Sequence, residues 1–309
     1  MKILFISLGC DKNLADSEEM LGLLTGNGHE IVDSEEEADA IVINTCCFIH
    51  DAKEESVNTI LEMAEYKKTG TCKILIVTGC MAQRYKEEIT EEIPEVDAVL
   101  GTTSYGDIVK ALNEAEAGHV FREFKDINAL PEDSGRRVIT TGGHFGYLKI
   151  AEGCDKHCTY CIIPSLRGKF RSVPEERLLK QAEYMASQGV RELILVAQET
   201  TVYGTDLYGK KTLHILLKKL CQIKGIRWIR VLYCYPEEIY DELIQVMKEE
   251  KKICHYLDLP IQHASDRILK RMGRRTTRKQ LEDIIAKLRR EIPDIVLRTS
   301  LITGFPGET

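Results

Sequence analysis

The chain has 309 residues, 43% hydrophobic and 29% charged, with a formal charge of −7. That profile fits a soluble globular protein with room for two cores. No apolar run approaches the ~20 residues of a membrane helix, and the opening MKILFISLGC reads as a first strand, not an export signal, so no membrane contact is expected. Eleven cysteines without an export signal point to a reducing, cytoplasmic setting, where thiols act as metal ligands, reactive groups or small buried side chains. Residues 1–140 carry 28 acidic against 13 basic side chains and residues 141–309 carry 21 against 29, a split that suits two units with different surfaces.

Strands are predicted at 2–7 (KILFIS), 40–44 (AIVIN), 73–78 (KILIVT) and 96–101 (VDAVLG), with helices at 14–26, 51–67, 81–92 and 105–115. This alternation predicts a parallel sheet covered by helices on both faces. Residues 119–144 mix Pro, Gly and scattered charge without a sustained period and read as a linker with room for one edge strand. Strands are then expected at 147–151, 192–197, 227–233, 255–261 and 295–302, and helices at 174–188, 212–223, 237–250, 265–272 and 276–291. Five such steps suit an open sheet or a barrel equally. The expected architecture is α/β, with a Rossmann-like N-terminal domain at 1–118, a linker at 119–144 and a βα domain at 145–309. The chain stops at LITGFPGET, turn residues directly after a strand, so the second domain is expected to be truncated at its C-terminus.

The segment EGCDKHCTYCIIP holds Cys154, Cys158 and Cys161, spaced C-x3-C-x2-C on a short loop after the strand 147–151. Thiolates suit zinc and iron–sulfur clusters. Three of them bind three corners of a four-iron cube and leave one iron open to a substrate atom. A zinc site would need His157 as fourth ligand, although that residue adjoins Cys158 and would have to turn back sharply. Three structural core cysteines fit poorly beside Asp155, Lys156 and His157. GCDKHCTYC resembles the signature loop of the radical S-adenosylmethionine superfamily. The resemblance implies a partial (β/α)6 barrel and a 4Fe–4S cluster on Cys154, Cys158 and Cys161. It also implies S-adenosylmethionine chelated by the open iron, and Tyr160 beside the adenine. The cofactor supplies the hard chemistry, a radical that takes hydrogen from an unactivated carbon, and the protein supplies position and exclusion of water.

Three further cysteines share one context: Cys10 follows ILFISLG, Cys46 follows AIVINT and Cys80 follows ILIVTG. Each lies within about three residues of the C-terminal end of a predicted parallel strand, the edge where open α/β sheets bind ligands. Equivalent placement predicts a second three-thiolate site, the alternative being small residues in tight turns. Cys47 reads as an incidental neighbour of Cys46. Cys72 precedes its strand, Cys221 and Cys254 fall in regular elements that favour packing, and Cys234 ends a strand and could face a barrel mouth.

A domain with three turn cysteines ahead of such a barrel resembles the radical S-adenosylmethionine methylthiotransferases over essentially the whole chain. SLGCDKNLADSE, NTCCFIHDAKEES, YLKIAEGCDKHCTYCIIPSLRG, LVAQETTVYG and LPIQHASDRILKRMGR are most similar to the RimO-type branch. That branch inserts a methylthio group at the β-carbon of an aspartate in small-subunit ribosomal protein twelve. The tRNA-modifying branch usually has Gln, Met and Asn where this chain has Asp11, Lys12 and Asn13. Asp11 departs from the Pro usual in the RimO type, and Cys47 from Ser or Gly. The resemblance implies a second 4Fe–4S cluster on Cys10, Cys46 and Cys80, carrying a sulfide or polysulfide co-substrate. It implies the ribosomal protein as partner, an electron donor such as flavodoxin, and a monomer. Family members run on past Thr309 into a last barrel strand and a small RNA-binding β-barrel.

Gln198, Gln262 and Ser300 at strand ends, Arg298 further back in the last strand, and Gly304 opening the turn GFPG are candidate cofactor contacts. The basic run with Lys270, Arg271, Arg274, Arg275, Arg278 and Lys279 is a candidate surface for RNA or acidic protein, or simply a solvated face. Two other functions stay open: a tRNA adenosine methylthiotransferase, and a non-enzymatic iron–sulfur carrier or redox sensor.

Overall fold

The computed structural model describes residues 1–132 and 135–309; residues 133–134, within the expected linker, lie outside it. The chain forms two compact units. The first comprises Met1–Thr140 and Ser165–Gly168, the second Thr141–Pro164 and Lys169–Thr309.

In the first unit the elements run β1 (Lys2–Ser7), α1 (Asp11–Gly26), β2 (Glu30–Val32), β3 (Ala40–Thr45), α2 (His50–Thr69), β4 (Ile74–Gly79), α3 (Cys80–Glu92), β5 (Ala98–Leu100), α4 (Ile108–Glu116) and β6 (Phe121–Glu123). The six strands form one parallel sheet in the order β2-β1-β3-β4-β5-β6. Every residue of β3 and β4 is buried, as expected of central parallel strands covered on both faces. Strand alternation sends Ala40, Val42, Ile74, Ile76, Ala98 and Leu100 to one face, where they pack with Met20 and Leu24 of α1 and with Ile108, Ala111 and Leu112 of α4. Helix α2 packs on β3 and β4. The order reverses direction between β1 and β3, and at such a switch point open α/β sheets leave a crevice at the strand C-termini.

Gly79, the last residue of β4, has φ +93° and ψ −156°, a region essentially confined to glycine. A Cβ there would lie 2.3 Å from Asn44 Oδ1 and 2.6 Å from the Thr45 carbonyl oxygen. Strain and backbone overlap together are worth upwards of about 2 kcal/mol, so Gly79→Ala is expected to lower the thermal midpoint clearly, read by circular dichroism. An unchanged midpoint would show that the Cys80 turn is looser than described.

In the second unit the elements are β7 (Phe145–Lys149), β8 (Ala151–Glu152), α5 (Ile163–Arg167, whose last three residues belong to the first unit), β9 (Arg171–Ser172), α6 (Glu175–Ser187), β10 (Glu192–Val196), α7 (Thr205–Tyr208), α8 (Leu213–Cys221), β11 (Trp228–Val231), α9 (Asp241–Glu249), β12 (Ile253–Asp258), α10 (Asp266–Arg271), α11 (Arg278–Glu291) and β13 (Val296–Arg298). Five parallel strands follow the order β13-β12-β11-β10-β7, so each main strand lies beside the one before it. Helices α6, α8 and α9 bury apolar stripes such as Leu178, Ala182 and Met185, or Leu213, Leu216, Leu217 and Leu220. Thr277 opens α11 with a reciprocal capping box to Gln280. The antiparallel pair β8–β9 joins Ala151 to Ser172 and Glu152 to Arg171, which closes the base of the loop between them. No described helix is long and apolar enough to cross a membrane.

Candidate functional site

Cys10, Cys46 and Cys80 follow β1, β3 and β4, three neighbouring parallel strands, at their common C-terminal edge. Cys10 is the N-cap of α1 and Cys80 the first residue of α3, so both cysteines sit at helix N-termini. Ser56 holds the Cys46 turn: its hydroxyl accepts from Cys46 N (3.0 Å) and donates to Cys46 O (2.8 Å). Gly9 lets the first turn approach the second, since a Cβ there would fall 2.8 Å from Cys46 Cβ and 3.1 Å from its Sγ. Burial pushes up the Cys80 thiol; Arg167 opposes the shift, while charges on Cys10 and Cys46 add to it. Burial likewise raises Cys46, with a further push from Cys10. Three thiols that feel one another electrostatically share one locality. Cys47 lies there too: burial raises it to about 11, and charge on Cys80 adds to the rise.

Cys154, Cys158 and Cys161 lie on the loop that β8–β9 closes. Cys161 N donates to Cys158 O at 3.0 Å, a tight turn between the last two cysteines. The loop is pinned at both ends of its arc. Phe170 N donates to Asp155 Oδ1 (3.0 Å). Thr159 N donates to Met272 O (3.0 Å) and Thr159 Oγ1 to Arg271 O (3.2 Å). Gly273 permits this approach, because a Cβ there would sit 2.8 Å from the His157 carbonyl oxygen. Burial lifts Cys154 to about 11, with Glu199, Cys161 and Cys158 contributing. Tyr160 is half-buried, and burial and the Cys158 charge raise its hydroxyl.

Gln198 lies two residues beyond β10, and neither atom of its buried amide has a hydrogen-bond partner among the described residues. Gln262 has φ +68° and bridges to the segment after β13 through Gln262 N to Ser300 O (3.0 Å) and Ile302 N to Gln262 O (2.8 Å). Arg298 ends β13 and is exposed; its Nη1 donates to buried Asp258 Oδ1 at 2.8 Å. Ser300 and Gly304 are exposed. A Cβ at Gly307, in the turn that Gly304 opens, would meet the Arg271 guanidinium, and Arg271 O also receives Thr159. The terminal turn and the cysteine loop therefore share one neighbour, although they follow opposite edge strands of the sheet. Arg274 corrects the reading of the basic run as a solvated surface: it is only 6% exposed, with its guanidinium carbon 4.2 Å from the centre of the Tyr235 ring.

Sequence reasoning missed Tyr235 and Glu199. Tyr235 Oη is 3.4 Å from Cys158 Sγ, and the Lys156 ammonium also lies over the ring, 5.1 Å from its centre. Neighbouring Cys234, which from sequence could face a barrel mouth, is buried, with Thr200 Oγ1 3.4 Å from its Sγ. The segment after β11 thus presents Tyr235, and not Cys234, to the loop. One oxygen of Glu199 faces Thr201 N (3.0 Å), the Thr201 hydroxyl and Tyr235 N (3.4 Å); the other has no partner among the described residues.

Burial raises the Glu199 carboxyl to about 7. Because its native value exceeds the unfolded one, the destabilisation is absent below the unfolded value and complete above about 7. It is worth roughly 3 kcal/mol there. In the cluster-free chain, Glu199→Gln is expected to raise the unfolding midpoint at pH 8 far more than at pH 5. An equal gain at both pH values would contradict the burial.

Among the described residues no group of three His, Cys, Asp or Glu side chains converges on a single ion position. A four-iron cube binds each thiolate through a different iron, so its ligands stand apart instead of surrounding one point. The two cysteine trios supply that donor set. The orphaned Gln198 amide, Glu199 oxygen and Arg274 Nε and Nη1 are buried polar atoms that a polar ligand would satisfy.

The family model described as Uncharacterized protein family UPF0004 matches residues 2–101, and that of the Radical SAM superfamily matches residues 148–309. Among solved structures, the cobalamin-dependent S-adenosylmethionine radical enzyme OxsB matches 97% of this chain and 49% of its own, with TM-score 0.64 and 15% identity. The radical S-adenosylmethionine methyltransferase TsrM from Kitasatospora setae matches 100% of this chain and 70% of its own, with TM-score 0.67 and 13% identity. These likenesses describe the fold alone: the chain spans about half the length of OxsB. Ribosomal protein uS12 methylthiotransferases RimO are much closer in sequence. That of Lachnoclostridium phytofermentans is 69% identical, and those of Clostridium botulinum (strain Eklund 17B) and Clostridioides difficile are 54% and 52% identical. Each match covers 100% of this chain and 69–70% of the relative. Fold, cysteine loop and family match define a radical S-adenosylmethionine enzyme. The chain belongs to the RimO family of methylthiotransferases.

Proposed function

We propose that this chain inserts a methylthio group at the β-carbon of an aspartate in ribosomal protein uS12, using one four-iron cluster at each thiol trio. The observation that carries the reading is the duplication itself: three thiols on one loop after β7, and three more at neighbouring strand ends of a separate sheet. When bound, the cluster on the loop with S-adenosylmethionine supplies the one-electron chemistry that breaks an unactivated C–H bond, and the other site supplies sulfide or polysulfide. Cys154, Cys158 and Cys161 hold the first cluster with one iron left free. Tyr160 lies against the adenine. The Gln198 amide offers a donor and an acceptor to the cofactor's polar groups, with Gln262, Arg298, Ser300 and Gly304 completing the pocket. Tyr235, backed by Arg274, packs against the ligand thiol of Cys158 and helps keep water from it. Cys10, Cys46 and Cys80 hold the sulfur-carrying cluster.

The reading divides the chain into a methylthiotransferase domain at 1–118, a linker at 119–144 and a radical domain at 145–309. It includes a flavodoxin-type electron donor, a monomeric state and a cytoplasmic location; eleven cysteines suit a reducing compartment. Anaerobic incubation with reductant, sulfide, S-adenosylmethionine and either uS12 or tRNA tests it. One methylthio group on a uS12 aspartate is the expected product by mass spectrometry. Product on tRNA adenosine alone, or none, would sink it.

A further inference from the structure

Residues Ser165–Gly168 follow the loop cysteines in sequence yet belong to the first unit. The segment is seated tightly: Thr102 Oγ1 donates to Leu166 O at 2.8 Å, and a Cβ on Gly168 (φ +71°) would fall 2.5 Å from the Ile127 carbonyl oxygen. The product of this seating is a buried guanidinium. Arg167 Nη1 donates to Asp16 Oδ2 (2.8 Å), and Nη2 reaches Asn13 Oδ1 (2.5 Å) and Cys80 Sγ (3.6 Å).

Asn13 is fully buried and touches all three thiol-bearing turns. Its Nδ2 donates to Leu8 O (3.2 Å), before Cys10, and to Thr45 O (3.0 Å), before Cys46; its Oδ1 lies 3.7 Å from Cys80 Sγ. Asn44 braces it by donating to Asn13 O (2.9 Å) and to Ser17 Oγ (2.9 Å). Arg167 thus grips the residue that joins the three turns and places a permanent positive charge beside one thiol. Gathering three thiolates, two of them buried, is electrostatically costly, and a fixed cation lowers that cost. A lysine would keep the charge but could not reach Asp16, Asn13 and Cys80 together, because it lacks the planar fork.

We propose that Arg167 is a positioning residue of the Cys10–Cys46–Cys80 site: through Asn13 it fixes the three turns, and its guanidinium offsets the charge of the cluster held there. This rests on the reading of those thiols as cluster ligands. The test uses the full chain with Cys154, Cys158 and Cys161 changed to alanine, so that all bound iron belongs to the N-terminal site. Iron per chain, the rate of iron loss to a chelator and the reduction midpoint are measured after anaerobic reconstitution, with circular dichroism as the check on folding.

Arg167→Gln alone would take the ion-pair partner at Arg167 from the buried Asp16 carboxylate, so the informative variant is Asp16→Asn with Arg167→Gln. It is expected to hold less than about half of the parent's iron, or to lose it at least about tenfold faster, the scale of one lost charge-assisted hydrogen bond. Compared with Asp16→Asn alone, its midpoint should lie at more negative potential, because the positive charge beside Cys80 has gone. Asp16→Asn alone should keep its iron and move the midpoint to more positive potential. Arg167→Lys should keep the midpoint near the parent's but lose iron faster. A double variant, or an Arg167→Lys variant, that matches the parent in iron, chelator rate and midpoint overturns the proposal. A parent that binds no iron overturns the thiol site itself, and this role with it.

Discussion

Cys158→Ala is expected to abolish S-adenosylmethionine cleavage and to remove about half of the bound iron, four atoms of about eight. The loop offers three thiols, and a cube with two protein ligands and two open irons is not retained. Neither Tyr235 Oη, 3.4 Å from Cys158 Sγ, nor Arg274 behind it can replace a thiolate, since a phenol and a guanidinium are poor ligands for a soft iron–sulfur centre. The fold should survive, because the loop keeps its bonds from Thr159 to Arg271 and Met272 and from Phe170 to Asp155. Anaerobic turnover followed by chromatography of 5′-deoxyadenosine, beside an iron assay, checks both parts. Cleavage above one-hundredth of the parent rate would show that Cys158 is not a ligand.

The second large effect separates the two halves of the reaction. Changing Cys10, Cys46 and Cys80 together to alanine should leave S-adenosylmethionine cleavage running while insertion of sulfur into the substrate falls below detection. The loop thiols all lie in the second unit and the changed ones all in the first. About four irons should remain. The substitutions remove small side chains from turns held by Asn13, Asn44 and Ser56, so the sheet beneath keeps its register. Mass spectrometry of the substrate and a 5′-deoxyadenosine assay on the same sample separate the outcomes. A methylthiolated product from this variant would rule out the second site.

Both trios were legible from sequence because their signals are local. One is a fixed spacing on a loop, and the other is a repeated position after apolar runs such as AIVINT and ILIVTG, which lie buried on both faces. Elements created by tertiary partners were not legible. Strand β2 is three residues, Glu-Ile-Val, ordered by the free edge of β1. The pair β8–β9 is two residues a side. The helix expected at 237–250 begins only at Asp241, after a separate 3-10 turn at Pro236–Glu238.

The supporting shell was hidden for a similar reason. Charge in a basic run suggests solvent, but Arg274 turns inward onto Tyr235. The pattern at Cys234-Tyr235 says that the two side chains part, not which one meets the loop. Arg167 lies six residues after Cys161, yet reaches the Cys80 thiol 87 positions away in sequence, and no periodicity reports such a contact.

Iron per chain after anaerobic reconstitution tests most directly whether each unit carries its own cluster. The intact chain should hold about eight irons, and each triple-alanine variant, one for either trio, about four. An intact chain holding about four, unchanged when Cys10, Cys46 and Cys80 are removed, would contradict it.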